Sequence, residues 1–353
     1  MGLDIGGANT KAAFLRAENG VVLEFKTASE YFPVWKDRNR LSSVLLALKE
    51  QLSGAAQLDG VGLTMTAELS DAYQTKQEGV NHILTCVSEA FADAPIFVLD
   101  VDATLISMES AKMAPLRVAA ANWSATGWLV SQLIKTCVIV DIGSTSTSII
   151  PIVDGCIAAA GKTDLEKLIN GELVYTGSLR TNVAAIVSAV PLRGGIARVS
   201  SELFAQSGDV HLILGNITEK EYTVETADGR GKTLQEAMAR LARVVCADIE
   251  MLTDQELLQM ARYIYHRQVE QVADGLSEVY SRTKARANGE VPVVVTGIGK
   301  NFLARAAAEK IGADKIIDLG ELLNGDVTVA SPAVAVALMA ASKLEGRLVK
   351  WMR

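Results

Sequence analysis

Histidine is scarce in this chain: His82, His211 and His266 are the whole supply in 353 residues. None lies in a motif that matches a catalytic cysteine, and with so few of them histidine-based metal or triad chemistry has few candidates. Cysteine is almost as rare. Cys86, Cys137, Cys156 and Cys246 form no Cys-x-x-Cys pair and all lie in apolar segments, which predicts buried free thiols in a reducing compartment. No apolar run reaches membrane-spanning length before a charge or turn residue breaks it. The chain opens directly on a strand pattern, which leaves no room for a signal peptide. Positive charge is not in excess: Lys plus Arg number 34 against 41 for Asp plus Glu, a net charge of −7. Neither nucleic acid nor a membrane is therefore an expected partner. The expectation is a cytoplasmic protein that handles small molecules, with a homo-oligomer left open.

What the chain does have is apolar residue, 49% of it, enough for two buried sheets, and at this length two domains are the natural division. It also has one motif twice. Asp4-Ile5-Gly6-Gly7-Ala8-Asn9-Thr10-Lys11 and Asp141-Ile142-Gly143-Ser144-Thr145-Ser146-Thr147 each join one apolar run to the next. Strand, acid, glycine turn with hydroxyl or amide side chains, strand: such a hairpin can hold a phosphate. Gly6, Gly7 and Gly143 permit close approach of backbone to ligand, and the amide groups of the turn form an anion nest. Asn9, Thr10, Ser144 and Thr145 are candidate phosphate donors, with ordinary turn formation as the plainer reading. Lys11 is a candidate point charge facing the phosphate. Asp4 and Asp141 stand at strand ends, where a carboxylate can hold Mg²⁺ or orient a nucleophile.

The coarse pattern is α/β. Strands are expected over Met1–Ile5, Lys11–Arg16, Val21–Thr27, Gly60–Thr64 and Pro95–Leu99, with helices over Arg40–Leu52, Lys76–Phe91 and Ala121–Ile134. The pattern then restarts at Cys137–Asp141 and Thr147–Val153. Asp154-Gly155 is a turn, Asp254–Ala285 reads as one long helix or two abutting ones, and Val291–Thr296 as a buried strand. The expected domains are 1–135, joined by a returning helix 331–346, and 136–330. Gly208–Lys232 reads as a polar surface insertion.

Further segments are candidates for the site. Val293 to Lys300 runs a buried strand into Gly297-Ile298-Gly299 and a helix, a place that attracts anions. Tyr31-Phe32-Pro33-Val34-Trp35 puts three aromatics in five residues of a chain that is 5% aromatic, and Lys36, Arg38 and Arg40 follow. Trp35 and Lys36 would stack a planar substrate and attract its anionic group; a hydrophobic staple for the next helix is the alternative. Glu68, after the strand ending at Thr64, is a candidate base or a solvated loop carboxylate. Arg180, after the turn Gly171 to Gly177, would fork onto a diphosphate or form a surface ion pair. Asn122 is a candidate helix cap. Asp209 and His211 read as a helix-surface pair or a metal pair.

Taken in order, LDIGGANTKAA, YFPVWK, LTMTAEL, AAANWSATG, VDIGSTSTSIIPI, GELVYTGSLRTNV and VTGIGKNFL span almost the whole chain. They resemble the hydantoinase–oxoprolinase branch of the actin-like ATPase superfamily, in the part linked to tetrahydromethanopterin one-carbon metabolism. The resemblance implies an α/β fold of two actin-like, ribonuclease-H-like domains facing across a cleft. It implies a transferase in which the phenol of γ-glutamyltyramine displaces diphosphate from an aminomethylfuranylmethyl diphosphate. Mg²⁺ is the expected cofactor and no organic cofactor is expected. In that chemistry Lys11, Glu68 and Asp141 are the expected catalytic residues and Asp4 and Asp141 the metal ligands. Gly6, Gly7, Asn9, Thr10, Lys11, Trp35, Lys36, Gly143, Ser144, Thr145, Arg180, Gly297 and Gly299 are expected to bind substrate and diphosphate. The alternatives within the same fold are an ATP-dependent kinase, a hydantoinase- or oxoprolinase-type hydrolase, and a non-catalytic nucleotide sensor.

Overall fold

The structure, a computed structural model, describes residues 1–54, 56–323 and 330–351. Residues 324–329, part of the expected domain 136–330, lie outside the described residues. The chain divides into two compact units. One comprises Met1–Thr136, Ile150–Lys167 and Leu319–Arg353; the other comprises Cys137–Ile149 and Leu168–Asp318.

The first unit opens with an antiparallel meander of β1 (Gly2–Ile5), β2 (Asn9–Glu18) and β3 (Val21–Tyr31). Helix α1 (Leu41–Ser53) leads to β4 (Val61–Met65), which lies parallel to β1. Helix α2 (Lys76–Ala90) leads to β5 (Ile96–Leu99), parallel to β4, and β6 (Leu105–Ser107) completes the order β3-β2-β1-β4-β5-β6. Leu3, Ile5, Leu41, Leu45, Leu63, Ile83 and Leu84 are buried together in one core, which fixes α1 and α2 on one sheet face. Short helix α3 (Met108–Met113) and α4 (Asn122–Ser131) follow.

The second sheet repeats this order. Strands β7 (Cys137–Ile142) and β8 (Thr147–Val153) flank the second glycine turn, and β9 (Cys156–Ile157) pairs back on β8. Asp154 and Gly155 take φ of 52° and 79° between them, the left-handed pair that a tight hairpin requires. After α5 (Asp164–Ile169), β10 (Leu173–Val174) pairs antiparallel with β8. Then come α6 (Val183–Ile186), the hairpin β11 (Ala189–Leu192) and β12 (Gly195–Arg198), and α7 (Ser207–Ile213). Helices α8 (Leu234–Arg243) and α9 (Asp254–Arg286) each open on a threonine capping box, Thr233 with Glu236 and Thr253 with Glu256, which satisfies end amides reciprocally. Strand β13 (Val293–Gly297) is buried at every position and lies parallel to β7, as a central parallel strand must, with β14 (Ile316–Asp318) parallel beyond it. A single π-helical turn, Lys300–Ala304, runs into α10 (Arg305–Lys310).

The chain returns to the first unit at α11 (Leu319–Leu323), and α12 (Ser331–Glu345) belongs to it too, with residues Ser331–Ala340 all buried. Two glycines make room for it. A Cβ on Gly2 would stand 2.0 Å from the Ala333 carbonyl oxygen, and one on Gly62 would stand 2.3 Å from that of Val336. Helix and sheet meet backbone to backbone there, a distance no other residue allows.

Several expectations from sequence are corrected. Strand β3 runs on to Tyr31 rather than ending at Thr27. Helix α4 begins at Asn122 with Ala121 in the cap position and no side-chain cap, so Asn122 does not cap it. Cys86 and Cys137 are buried, but Cys156 and Cys246 are exposed. The stretch from Gly208 is not surface at its start: every residue of α7 is buried. Its polarity is compatible with burial because Arg240, itself buried, reaches Asp209 at 2.8 Å and Tyr222 donates to the same carboxylate at 3.2 Å. Asp209 and His211 are thus neither a surface pair nor a metal pair. Among the described residues no helix is long and apolar enough to cross a membrane.

Candidate functional site

The two glycine turns close in the same way. In the first unit the Gly6 amide donates to the Asn9 carbonyl at 3.0 Å; in the second the Gly143 amide donates to the Ser146 carbonyl at 3.0 Å. Each turn then loses its carbonyls to a following loop. The Gly7 and Ala8 carbonyls accept from the Val34 and Phe32 amides at 2.9 and 3.0 Å. The Gly143 carbonyl accepts from the Ser178 amide and hydroxyl, and that of Ser144 from the Leu179 and Arg180 amides. Turning carbonyls inward is the condition for an anion nest, because a carbonyl dipole facing the ligand would repel it.

The strand register repeats as well. Asp4 lies beside Thr64 on the neighbouring parallel strand, and Asp141 lies beside Thr296 on its own. Asp4 is buried and Asp141 half-buried. Each is one carboxylate at a strand end next to a phosphate-type turn. That donor set suits Mg²⁺, which takes one or two carboxylates, keeps several waters and binds substrate phosphate. Among the described residues no three His, Cys, Asp or Glu side chains gather as a metal site.

In the second unit most of the expected residues converge. Arg180 is half-buried and its Nη1 donates to the Thr145 hydroxyl at 3.2 Å; the Ser144 and Thr145 hydroxyls are 3.4 Å apart. A Cβ on Gly177 would stand 2.6 Å from the Thr145 amide nitrogen, so that glycine is what lets the arginine loop lie on the turn. Gly297 has φ of +85°, and a Cβ there would stand 2.4 Å from the Ile142 carbonyl oxygen and 2.7 Å from Asp141 Oδ1. Gly299 packs on Ile142 and Ser178 with no room for a side chain. Asp141, Gly143, Ser144, Thr145, Arg180, Gly297 and Gly299 therefore form one local cluster.

The first unit is more mixed. Lys11 is the third residue of β2, paired with Asp4, rather than a residue of the turn itself. Asn9 pairs with Tyr31 across β2 and β3. Thr10 is buried, with no hydrogen-bond partner for its hydroxyl among the described residues. Phe32 and Val34 join the core with Leu41, as the staple reading expects, whereas Trp35 is half-buried and Lys36 exposed. Arg38 turns away to Glu78 and the Ala72 carbonyl, over the Tyr73 ring. A Cβ on Gly6 would stand 2.7 Å from the Asn9 carbonyl oxygen, whereas one on Gly7 would meet nothing within 4 Å.

Glu68 is not a solvated loop carboxylate. It is 1% exposed, in the single helical turn Ala67–Leu69 after β4, with its own amide and that of Ala120 beside the carboxylate. Burial pushes its carboxyl up to about 7, against the pull of the Lys76 ammonium 3.6 Å away. A carboxylate held there accepts a proton near neutral pH, the property of a general base.

Some positioning residues had no signal in the sequence. Gln268, inside α9, donates to the Thr176 hydroxyl at 2.9 Å and to the Gly177 carbonyl at 2.8 Å. Its own carbonyl oxygen then faces His211 Nε2 at 3.0 Å, so Nε2 carries the proton, and Nδ1 accepts from Asn216 at 3.2 Å. Complete burial drives the His211 pKa down to about 3. This buried chain anchors the loop that carries Arg180. Nothing in the residue pattern pairs positions separated by 57 and 91 residues.

The hydantoinase/oxoprolinase family matches residues 59–342. The chain is 40% identical over 346 residues, 98% of both chains, to the (4-{4-[2-(gamma-L-glutamylamino)ethyl]phenoxymethyl}furan-2-yl)methanamine synthase of Methanocaldococcus jannaschii. It is 36% identical to the synthase of the same name from Methanococcus vannielii over 222 residues, 62% of this chain and 97% of that one. Among solved structures, nucleotide-free acetone carboxylase superposes with a TM-score of 0.57 at 11% identity, over 96% of this chain and 69% of that one. The fold is of the actin-like α/β class.

Proposed function

The chain belongs to the hydantoinase/oxoprolinase family, and on that premise we propose that it is the synthase that builds the phenoxymethylfuran ether of methanofuran or of an analogous one-carbon cofactor. The observation that carries this reading is the 40% identity over 98% of both chains to a synthase of that product. The chain is thus an enzyme that forms a bond, and the product's name locates the bond: an ether between a phenol oxygen and a furanylmethyl carbon.

The finer reading is a transfer that releases diphosphate. The phenol oxygen of γ-glutamyltyramine attacks the furanylmethyl carbon of an aminomethylfuranylmethyl diphosphate. The bond from that carbon to the diphosphate oxygen breaks, and the phenol proton passes to Glu68. The furan ring stabilises positive charge on the reacting carbon, so the leaving group can depart ahead of attack. Charge then accumulates on diphosphate, and preorganised donors are most effective there. The second turn, Ser144, Thr145 and Arg180 supply such donors, and Asn9 and Lys11 are their counterparts in the first unit. Mg²⁺, held by Asp4 or Asp141 together with diphosphate oxygens, would neutralise the leaving group. Trp35 and Lys36 remain candidates for the aromatic substrate, Gly297 keeps a side chain away from Asp141, and Gly299 leaves room for Ile142 and Ser178.

The test is direct. Purified protein is incubated with aminomethylfuranylmethyl diphosphate, γ-glutamyltyramine and Mg²⁺. The expected result is the ether by mass spectrometry with one equivalent of diphosphate released. Ether formed from a different activated furan would remove the diphosphate reading, and no ether from any would remove the function.

A further inference from the structure

Lys76 stands where a lysine is electrostatically disfavoured. It is the first residue of α2, behind its cap Thr75, and the positive end of a helix dipole repels a cation in the first turn. Two carboxylates offset that. Its Nζ lies 2.6 Å from Asp164 Oδ2 and 3.6 Å from Glu68 Oε1. The approach is built into the backbone: a Cβ on Gly79 would stand 2.6 Å from the Glu68 Cα, so the first turn of α2 lies flush against Glu68. Asp164 comes from far along the chain, at the start of α5.

We propose that Lys76 and Asp164 are positioning residues that set the proton affinity of Glu68: Lys76 holds it ionised, and Asp164 draws Lys76 away. The inference rests on the reading of Glu68 as the proton acceptor. Among the described residues the titratable groups that act on Glu68 are Lys76, Asp164 and Tyr73. Tyr73 is held above its usual range by burial and stays a neutral phenol throughout the working pH. That leaves one cation shared unequally between two carboxylates. At 2.6 against 3.6 Å it serves Asp164 first, so Glu68 keeps enough basicity to take a phenol proton. When Glu68 accepts that proton its negative charge vanishes, and Lys76 is left paired to Asp164 instead of being stranded.

The arrangement predicts opposite effects from the two partners. Lys76→Met removes the one cation that opposes the burial of Glu68 and raises its pKa; Asp164→Asn frees Lys76 for Glu68 and lowers it. Each shift should be about one pH unit. The measurement is the acid limb of kcat/KM for ether formation in wild type, Lys76→Met, Asp164→Asn and Glu68→Gln. Alongside it, enzyme labelled with ¹³C at glutamate Cδ is titrated by NMR, with the Glu68 signal assigned by its loss in Glu68→Gln. Expected are an acid limb and a carboxyl titration that move up in Lys76→Met and down in Asp164→Asn. If Glu68→Gln keeps the wild-type limb, Glu68 is not the base and the reading beneath the inference fails. If Glu68→Gln loses activity while Asp164→Asn leaves both limb and titration in place, the inference alone is overturned. Asp164→Asn preserves volume, so it decides the matter even where Lys76→Met does not fold.

Discussion

Arg180 reaches the hydroxyl of Thr145 from 35 residues away, through Nη1 at 3.2 Å. The contact joins an arginine to a turn whose carbonyls are taken up by the following loop, the arrangement that the proposed anion site requires. The Gly177 backbone is what brings them together.

Arg180→Ala should therefore remove a charged donor without disturbing the core, since the side chain is half-buried. The expected loss is about 2–4 kcal/mol of transition-state stabilisation, the scale of one preorganised donor. Arg180→Lys should recover part of it, because an ammonium supplies charge but not the planar fork. Inhibition by free diphosphate should weaken in parallel. Unchanged inhibition in Arg180→Ala would place the anion elsewhere.

Gly7 and Gly2 make a matched pair. A Cβ on Gly7 meets nothing within 4 Å, whereas one on Gly2 runs into the Ala333 carbonyl at 2.0 Å. Gly7→Ala should melt within about 0.5 kcal/mol of wild type, as an unstrained surface change does, yet bind diphosphate more weakly if the turn is kept open for a ligand. Gly2→Ala should cost at least about 2 kcal/mol by forcing α12 off the sheet. Thermal melts with diphosphate titrations separate the two. Undiminished diphosphate binding by Gly7→Ala would make the first turn purely structural.

His211 gives a pH prediction with a definite sign. Burial holds its folded pKa near 3, below the ordinary 6.5. Between those values the unfolded chain binds a proton that the folded chain refuses, so stability falls as pH drops from about 6.5 toward 3. His211→Gln, which cannot titrate, should flatten that part of the profile. Urea unfolding at pH 7 and pH 4 measures it, and an equal slope in both proteins would show that other groups govern acid sensitivity. Gln268→Leu should loosen the Arg180 loop through the same chain of bonds, raising KM for the proposed diphosphate substrate while the protein stays folded at the assay temperature.

Much of this protein is local and could be read in order along the chain. The glycine turns, the acid before each, the restarted strand pattern, the capping residues and the glycines after β13 all depend on near neighbours. Local backbone preference and side-chain period are enough to fix such features. The sequence also named Glu68, but it could not tell a buried carboxylate from a solvated one. Tertiary packing decided that: Gly79 brings α2 against it, and Asp164 arrives from the start of α5 to compete for Lys76. The same holds for α7, which reads as polar surface until Arg240 and Tyr222 close on Asp209, and for Gln268, whose amide meets Gly177 only once α9 is in place. Burial and the sharing of one cation between two carboxylates are long-range properties. Burial raises the proton affinity of Glu68 and the shared cation tempers it, and no spacing of residues along the chain encodes either.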